Sequence, residues 1–175
     1  SFKNCKKLGE VEISENSIIR EFKNEAFSMS GIKKIFIPST TKLVEKTCFL
    51  KCEKLTEITF SNGMSRGAIA NTMFENLSSL KKCPLLFKRE INDYQFKNTA
   101  IESITFPSSL KRIHKFAFAD CIKLKSISFR GFVEIDSFAF AGCKNLENIK
   151  TNKSIRLILA FSDIKNDNYI YATLN

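Results

Sequence analysis

The chain has 175 residues, of which 43% are hydrophobic, an ordinary proportion for a folded domain. No apolar run approaches the roughly 18 residues that a membrane-spanning helix needs, so we predict no membrane span in this fragment. The formal charge of +10, from 28 basic and 18 acidic residues, favours acidic partners such as polyanionic glycans, anionic membranes, nucleic acid or acidic proteins. The alternative, which we prefer on charge alone, is a soluble lysine-rich surface without a specific partner. The 17 phenylalanines, without any tryptophan, indicate one aromatic position that is used repeatedly.

Phenylalanine recurs at regular steps along the whole chain. We call these residues the marker phenylalanines: Phe27, Phe49, Phe74, Phe96, Phe118, Phe140 and Phe161. Phe2 comes before the first of them and belongs to a truncated first unit. In four units a cysteine follows the marker by three residues, at Cys5, Cys52, Cys121 and Cys143. Such a repeated spacing predicts a stack of similar units rather than a layered globular domain.

The unit follows the pattern Phe-x-x-Cys-x-x-Leu-x-x-Ile-x-Phe/Ile, and Pro38 and Pro107 come after its last position. The Ile-x-Ile part has the two-residue alternation of a β-strand. A second, shorter apolar pattern follows it, as in Leu110-x-x-Ile113. Because one unit is too small to bury its own apolar face, we expect consecutive units to stack and their strands to pair.

These residues resemble the BspA-like branch of the leucine-rich-repeat superfamily. The matching pieces include Ala26-Phe27 with Ile35 and Pro38, and Ala139-Phe140 with Cys143. The resemblance implies an α/β solenoid, mostly β, wound as a right-handed superhelix of about seven 22–25-residue repeats with a parallel sheet on one face. It covers residues 1–165, with the first repeat truncated, and leaves 166–175 as a C-terminal cap or tail.

The unit around Phe74 departs from the pattern, because Leu77 replaces the usual cysteine and Ser61–Ala70 adds extra residues. We interpret Ser61–Ala70 as an insertion between coils, with an anion-binding loop as the alternative. The unit around Phe96 has Thr99 in the cysteine position.

The cysteines are expected to be free thiols at the inner corner of each coil, because they occupy one repeat position and a thiol packs as a small hydrophobe. Neighbouring coils lie about 4.8 Å apart, so Cys121 and Cys143 are also within reach of a disulfide bond. Cys83 falls at a strand core position, and Cys48, just before a marker, is expected to be partly exposed. The sequence has no Cys-x-x-Cys pair, and no histidine lies near Cys48 and Cys52, so we predict no metal site. No cofactor is predicted either.

Catalytic patterns are absent from the sequence. His114 is the single histidine, and we expect it on the surface of the second short strand. No HExxH, GxSxG, GxGxxG or phosphate-binding loop is present. The sequence therefore predicts a protein that is not an enzyme and has no small-molecule substrate.

The residues on either side of the central isoleucine should point out of the sheet. We predict that these outward positions contact a partner: Lys34, Phe36, Glu57, Thr59, Lys82, Ser103, Thr105, Ser126 and Ser128. They are mixed in charge in the first half of the chain and rich in hydroxyl groups in the second. The excess positive charge should lie on a basic flank beside the sheet, at Lys6, Lys7, Lys54, Lys123 and Lys144.

Together these features predict a non-enzymatic recognition or adhesion module that binds a partner protein or an acidic glycan through the strand face and the basic flank. Nucleic acid is not favoured, because aromatic and basic residues are not interleaved on one face. The family resemblance implies a cell-surface or secreted protein, as in mucosal bacteria and protist parasites. The alternative is a cytoplasmic leucine-rich-repeat scaffold, a setting that suits unpaired thiols.

Overall fold

The structure is a computed structural model that describes residues 1–82, 89–151, 156–157 and 173–174. The chain forms a mostly-β parallel solenoid of about six turns, and it divides into two compact units, Ser1–Leu86 and Phe87–Asn175. In each unit, a parallel sheet made mainly of four-residue strands lies on one side of the coils, and we call it the strand face. Two-residue strands form a second parallel sheet, which we call the back sheet. The predicted solenoid with a parallel sheet on one face is confirmed.

The described residues of unit 1 form two strands in each of its sheets. The strands are β1 (Glu21–Phe22), β2 (Lys34–Ile37), β3 (Leu43–Val44) and β4 (Glu57–Phe60). The strand face pairs β2 with β4 so that Ile35 lies opposite Ile58, and the back sheet pairs β1 with β3. Consecutive coils therefore stack with each repeat position beside its own counterpart, which places inward residues beside inward residues.

Unit 2 contains longer sheets of the same kind. Its strands are β5 (Glu90–Ile91), β6 (Ser103–Phe106), β7 (Arg112–Ile113), β8 (Ser126–Phe129), β9 (Glu134–Ile135), β10 (Asn148–Thr151), β11 (Arg156–Leu157) and β12 (Thr173–Leu174). The strand face has the order β12-β10-β8-β6, and the back sheet has the order β11-β9-β7-β5. β12 belongs to the segment predicted as a cap or tail, and it adds a strand to the face by pairing with β10. The rest of residues 166–175 lies outside the described residues.

The core of each unit is a column of stacked marker rings. In unit 1 the ring centroids of Phe2 and Phe27 are 5.2 Å apart and those of Phe27 and Phe49 are 5.7 Å apart. In unit 2 the rings of Phe96, Phe118 and Phe140 stack at 5.2 Å, within 5° of parallel. Phe118 and Phe140 are completely buried. The predicted aromatic column is confirmed within each unit, whereas the marker Phe161 and the core position Cys83 lie outside the described residues.

Burial along the strands follows the predicted alternation. Ile35, Ile58, Ile104, Ile127 and Ile149 point inward and are buried, while their neighbours at the outward positions are half-buried or exposed. In the described residues, the single helical element is a 3₁₀ turn at Arg66–Ala68. In most described coils the segment after the strand face forms a two-residue strand of the back sheet and not a helix. The predicted α/β class therefore contains very little helix in the described residues.

The segment Ser61–Ala70 is not simply an insertion between coils. It contains the 3₁₀ turn, and Ile69 then forms a parallel bridge with Val44 of β3. Ala68 and Ile69 are both buried. The segment thus carries the back-sheet position of its coil, which a spacing analysis based on the marker phenylalanines does not detect.

Each coil turns through a left-handed residue two positions after its marker. These corner residues have φ angles between 54° and 72°: Asn4, Met29, Lys51, Asn76, Asn98, Asp120 and Gly142. In this conformation the backbone N–H points toward the next coil. The Asn98 amide donates to the Ala119 carbonyl, and the Asp120 amide donates to the Ala141 carbonyl, both at 2.8 Å. Asn, Asp and Gly tolerate this region, whereas other residues adopt it at a cost of about 1–2 kcal/mol.

Candidate functional site

The predicted partner-binding residues lie on the strand faces of the two units. In unit 1, Lys34 lies opposite Glu57 and Phe36 lies opposite Thr59, and Lys82 continues the first of these columns through a bridge to Glu57. Phe36 and Glu57 are half-buried, and the other three side chains are exposed. The register therefore brings these five residues together, as the sequence predicted.

In unit 2 the corresponding columns carry hydroxyl groups. Ser103 lies opposite Ser126 and Thr105 lies opposite Ser128 on β6 and β8. Ser103 and Thr105 are exposed, and Ser126 and Ser128 are half-buried. This face is neutral and hydrophilic at these four positions, and it is suited to hydrogen bonding rather than to ion pairing.

The strand face of unit 1 contains a cavity of about 630 Å³. The lining residues come from three successive coils: Glu10, Val11, Glu12, Ile13, Ser14, Lys34, Ile35, Phe36, Glu57 and Thr59. Four of the nine predicted contact residues are among them. The space is a shallow depression that is open to solvent.

The electrostatic character of this cavity differs from that of the chain. Three glutamates, Glu10, Glu12 and Glu57, line the cavity together with one lysine, Lys34. The Lys34 Nζ and Glu57 Oε2 atoms are 3.9 Å apart. At that distance, and with Lys34 largely exposed, the pair contributes little to stability. The cavity is thus locally acidic in a protein whose formal charge is +10.

The predicted basic flank is exposed, with Lys6, Lys7, Lys54, Lys123 and Lys144 all open to solvent. In unit 1 this flank includes a second cavity of about 390 Å³, which is separate from the first. Its lining residues are Lys6, Met29, Ser30, Gly31, Lys51, Glu53 and Lys54. Lys51 lies at a left-handed corner, a position that the analysis of the sequence did not single out.

The cysteine position is explained by a hydrogen bond between coils. Cys52 Sγ donates to the Phe27 carbonyl at 2.9 Å, and Cys121 and Cys143 donate to the carbonyls of Phe96 and Phe118 at 3.1 Å. Each thiol thus donates a hydrogen bond to the backbone carbonyl of the marker phenylalanine in the preceding coil. Cys121 and Cys143 are both free, as are Cys5, Cys48 and Cys52.

Two cysteines differ from their expected exposure. Cys48 is fully buried rather than partly exposed, and burial raises the pKa of its thiol to about 12. The position directly before the marker is also buried in other coils, at Met73, Gln95, Ala117 and Ala139, so it is a core position of the repeat. Cys5 is exposed, unlike the cysteines at the same repeat position in later coils.

We expect the thiols to react in two classes. Alkylation of the native protein with iodoacetamide at mildly alkaline pH, mapped by peptide mass spectrometry, should label Cys5 first. Cys48, Cys52, Cys121 and Cys143 should remain protected until denaturant is added, because they are buried and the reagent cannot reach them. Equal labelling of Cys5 and Cys121 in the native protein would contradict the assignment of Cys121 to a buried position inside its coil.

His114 belongs to a charged network on the back sheet of unit 2. It follows β7 directly and is half-buried, with Nε2 3.2 Å from Glu90 Oε2 and Nδ1 3.3 Å from Asp136 Oδ2. Arg112 donates to Asp136 from Nη2 at 2.9 Å, and this hydrogen bond raises the pKa of Arg112. The network links three coils. The sequence alone does not reveal it, because the partners of His114 lie more than 20 residues away along the chain.

A second aromatic column was also missed. The rings of Tyr94, Phe116 and Phe138 stack at 5.3 Å in unit 2, and Tyr94 is 39% exposed. All three residues have left-handed backbones, with φ between 57° and 61°. The signal was present in the sequence, because each of these residues stands two positions before a marker.

Metal and membrane features were sought in the described part of the chain. There, no group of three or more His, Cys, Asp or Glu side chains is arranged to hold a metal ion. The same part contains no helix with the length and apolar character required to cross a bilayer.

Comparisons with known proteins identify solved structures with a similar fold. No curated protein matches the sequence. The chain is similar to a leucine-rich repeat protein of Bacteroides ovatus, with 19% identity, coverage of 92% of this chain and 51% of the other, and a TM-score of 0.55. It also resembles the pneumococcal vaccine antigen PcpA, with 15% identity, coverage of 84% and 59%, and a TM-score of 0.42. The chain spans about half the length of the Bacteroides protein.

The family comparison agrees with the repeat structure. Six copies of the BspA type leucine rich repeat region match residues 1–87 and 89–171. Solenoids of this kind are interaction folds, which bind through surfaces formed by successive repeats. Because the match covers nearly the whole sequence, the chain belongs to the BspA-type leucine-rich repeat family.

Proposed function

We propose that the protein is a non-enzymatic recognition module and that it holds a partner protein on the strand face of unit 1. The observation that supports this proposal best is the cavity of about 630 Å³, which is lined by Lys34, Phe36, Glu57 and Thr59. The repeat pattern alone also predicts that these four positions contact a partner. The independent agreement of pattern and cavity favours this face over others.

The lining of the cavity suits a protein partner. Phe36 offers a rigid aromatic surface that is partly open to solvent, and aromatic residues are enriched among the side chains that dominate binding energy. Lys34 and the surrounding glutamates provide charges that fix orientation. An acidic glycan fits this cavity poorly, because three carboxylates would face it, and it fits the basic flank better.

We propose a cell-surface or secreted setting with an adhesive role. The alternative is an intracellular scaffold, and the five free cysteines of the described residues favour it, since unpaired thiols suit a reducing compartment. Labelling intact cells with a membrane-impermeant reagent separates the two. Labelling of the protein before lysis supports the surface setting, and labelling only after lysis supports the scaffold.

The partner site is tested with a double variant, Phe36→Ala with Thr59→Ala. A photo-crosslinking residue placed at position 59 first captures the partner, and calorimetry then measures its affinity for purified protein. We expect the double variant to bind at least about tenfold more weakly, a loss of ~1.4 kcal/mol, because it removes a central aromatic contact. Lys144→Ala, on the flank of unit 2, is the control and should bind as the wild type does. Unchanged affinity of a folded double variant would overturn the proposed site.

A further inference from the structure

The flank cavity of unit 1 has more positive than negative side chains in its lining. Lys6, Lys51 and Lys54 line it together with one carboxylate, from Glu53. Among the described residues none of these three lysines forms an ion pair. Three lysines and one glutamate lining a space of about 390 Å³ give it a net positive charge, which raises the local concentration of an anionic group.

The lining also departs from the repeat at a position where the backbone restricts the choice of residue. Five of the seven left-handed corners carry Asn, Asp or Gly, which accept this conformation. The two exceptions are Met29 and Lys51, with φ angles of 56° and 57°, and both of them line this cavity. Backbone conformation does not favour a thioether or an ammonium group at these corners, and both side chains are exposed where they line the cavity.

We propose that this cavity binds a carboxylate side chain of an acidic peptide segment, with an apolar residue of that segment lying against Met29. Lys6, Lys51 and Lys54 surround the carboxylate, and the flexible Met29 side chain adapts to the neighbouring apolar group. A flat anionic membrane matches the site less well, because the space is concave and Glu53 stands in its wall. The inference rests on the proposed recognition function for its setting, but it uses a separate cavity, so the two fail separately.

The test uses the purified chain and a fluorescein-labelled peptide of alternating glutamate and leucine. A matched peptide with glutamine in place of glutamate serves as the uncharged probe. Fluorescence anisotropy should show binding of the acidic peptide, binding that weakens as salt is added, and little binding of the glutamine peptide. Lys51→Asn should weaken binding about two- to fivefold. It should not reduce stability, because it restores a residue type that other corners carry.

The control variants separate a local site from general attraction by a basic protein. Lys54 follows Cys52 by two residues, and Lys123 follows Cys121 by two residues. Of these two lysines, only Lys54 lines the cavity. Lys54→Ala should therefore weaken the acidic peptide about two- to fivefold, while Lys123→Ala leaves it unchanged. Phe36→Ala with Thr59→Ala, which tests the strand face, should bind the peptide normally.

Three results would overturn the proposal. The first is an equal loss of affinity in Lys54→Ala and Lys123→Ala, which indicates diffuse attraction. The second is unchanged affinity in a variant with both Lys51→Asn and Lys54→Ala. The third is binding to vesicles of equal parts phosphatidylcholine and phosphatidylserine without binding to the peptide, which assigns the cavity to lipid.

Discussion

Replacing Phe118 with alanine is expected to lower the free energy of unfolding by about 3–5 kcal/mol, because it removes a fully buried ring from the centre of a column. The Phe118 ring stacks on Phe96 and Phe140, each at 5.2 Å, and meets Phe106 edge-on at 5.7 Å. Alanine leaves an empty space between the Phe96 and Phe140 rings, and each of these rings loses a stacking partner. Chemical denaturation followed by circular dichroism measures the change.

Two control variants test whether the inward and outward positions are assigned correctly. Phe138→Ala removes a ring of the same size from the half-buried outer column, where part of the ring already faces solvent, so the loss should be smaller. Lys123→Ala changes an exposed flank residue and should have almost no effect. A similar loss of stability in all three variants would mean that the marker rings do not form the core.

Gly31→Ala is expected to give the second large loss, about 1–3 kcal/mol, through overpacking between coils. A Cβ atom at position 31 would lie 2.1 Å from the Lys6 carbonyl oxygen and 3.0 Å from the Leu8 carbonyl oxygen. Both obstacles are backbone atoms, so no side-chain rotation relieves the clash. The first coil must move away, which also strains the hydrogen bond from the Gly31 amide to the Cys5 carbonyl.

Hydrogen exchange locates this effect within the molecule. The Lys33 amide donates to the Gly9 carbonyl at 2.8 Å and should lose protection in Gly31→Ala. Gly67→Ala is the matched control, because a Cβ there meets no heavy atom within 4 Å. A normal melting curve and normal protection of Lys33 in Gly31→Ala would show that the coils pack less closely than the structure indicates.

The repeat pattern predicted positions within a coil well and contacts between coils less well. Inward residues such as Ile58 and Phe118 follow from spacing, because every coil must bury the same positions. The columns of the strand face follow too, since parallel coils of equal length pair in register. These two rules were sufficient to identify Phe36 and Thr59 as outward neighbours.

What the sequence did not reveal depends on local geometry. The back-sheet position of Ile69 follows a 3₁₀ turn, whose length the marker spacing does not determine. The Asp136 and Glu90 contacts of His114 require that three coils bring distant residues together. The flank cavity depends on the left-handed corners at Met29 and Lys51, which neither hydrophobicity nor repeat length makes visible.

The residue-for-residue pairing of β6 with β8, and of β8 with β10, has an evolutionary consequence. Gene duplication or deletion of one complete repeat leaves the pairing of every other repeat unchanged. A family built in this way can therefore lengthen or shorten its recognition surface one strand at a time while conserving its interior. Loss of part of a repeat is far more damaging, because a shift by one residue turns apolar side chains toward water.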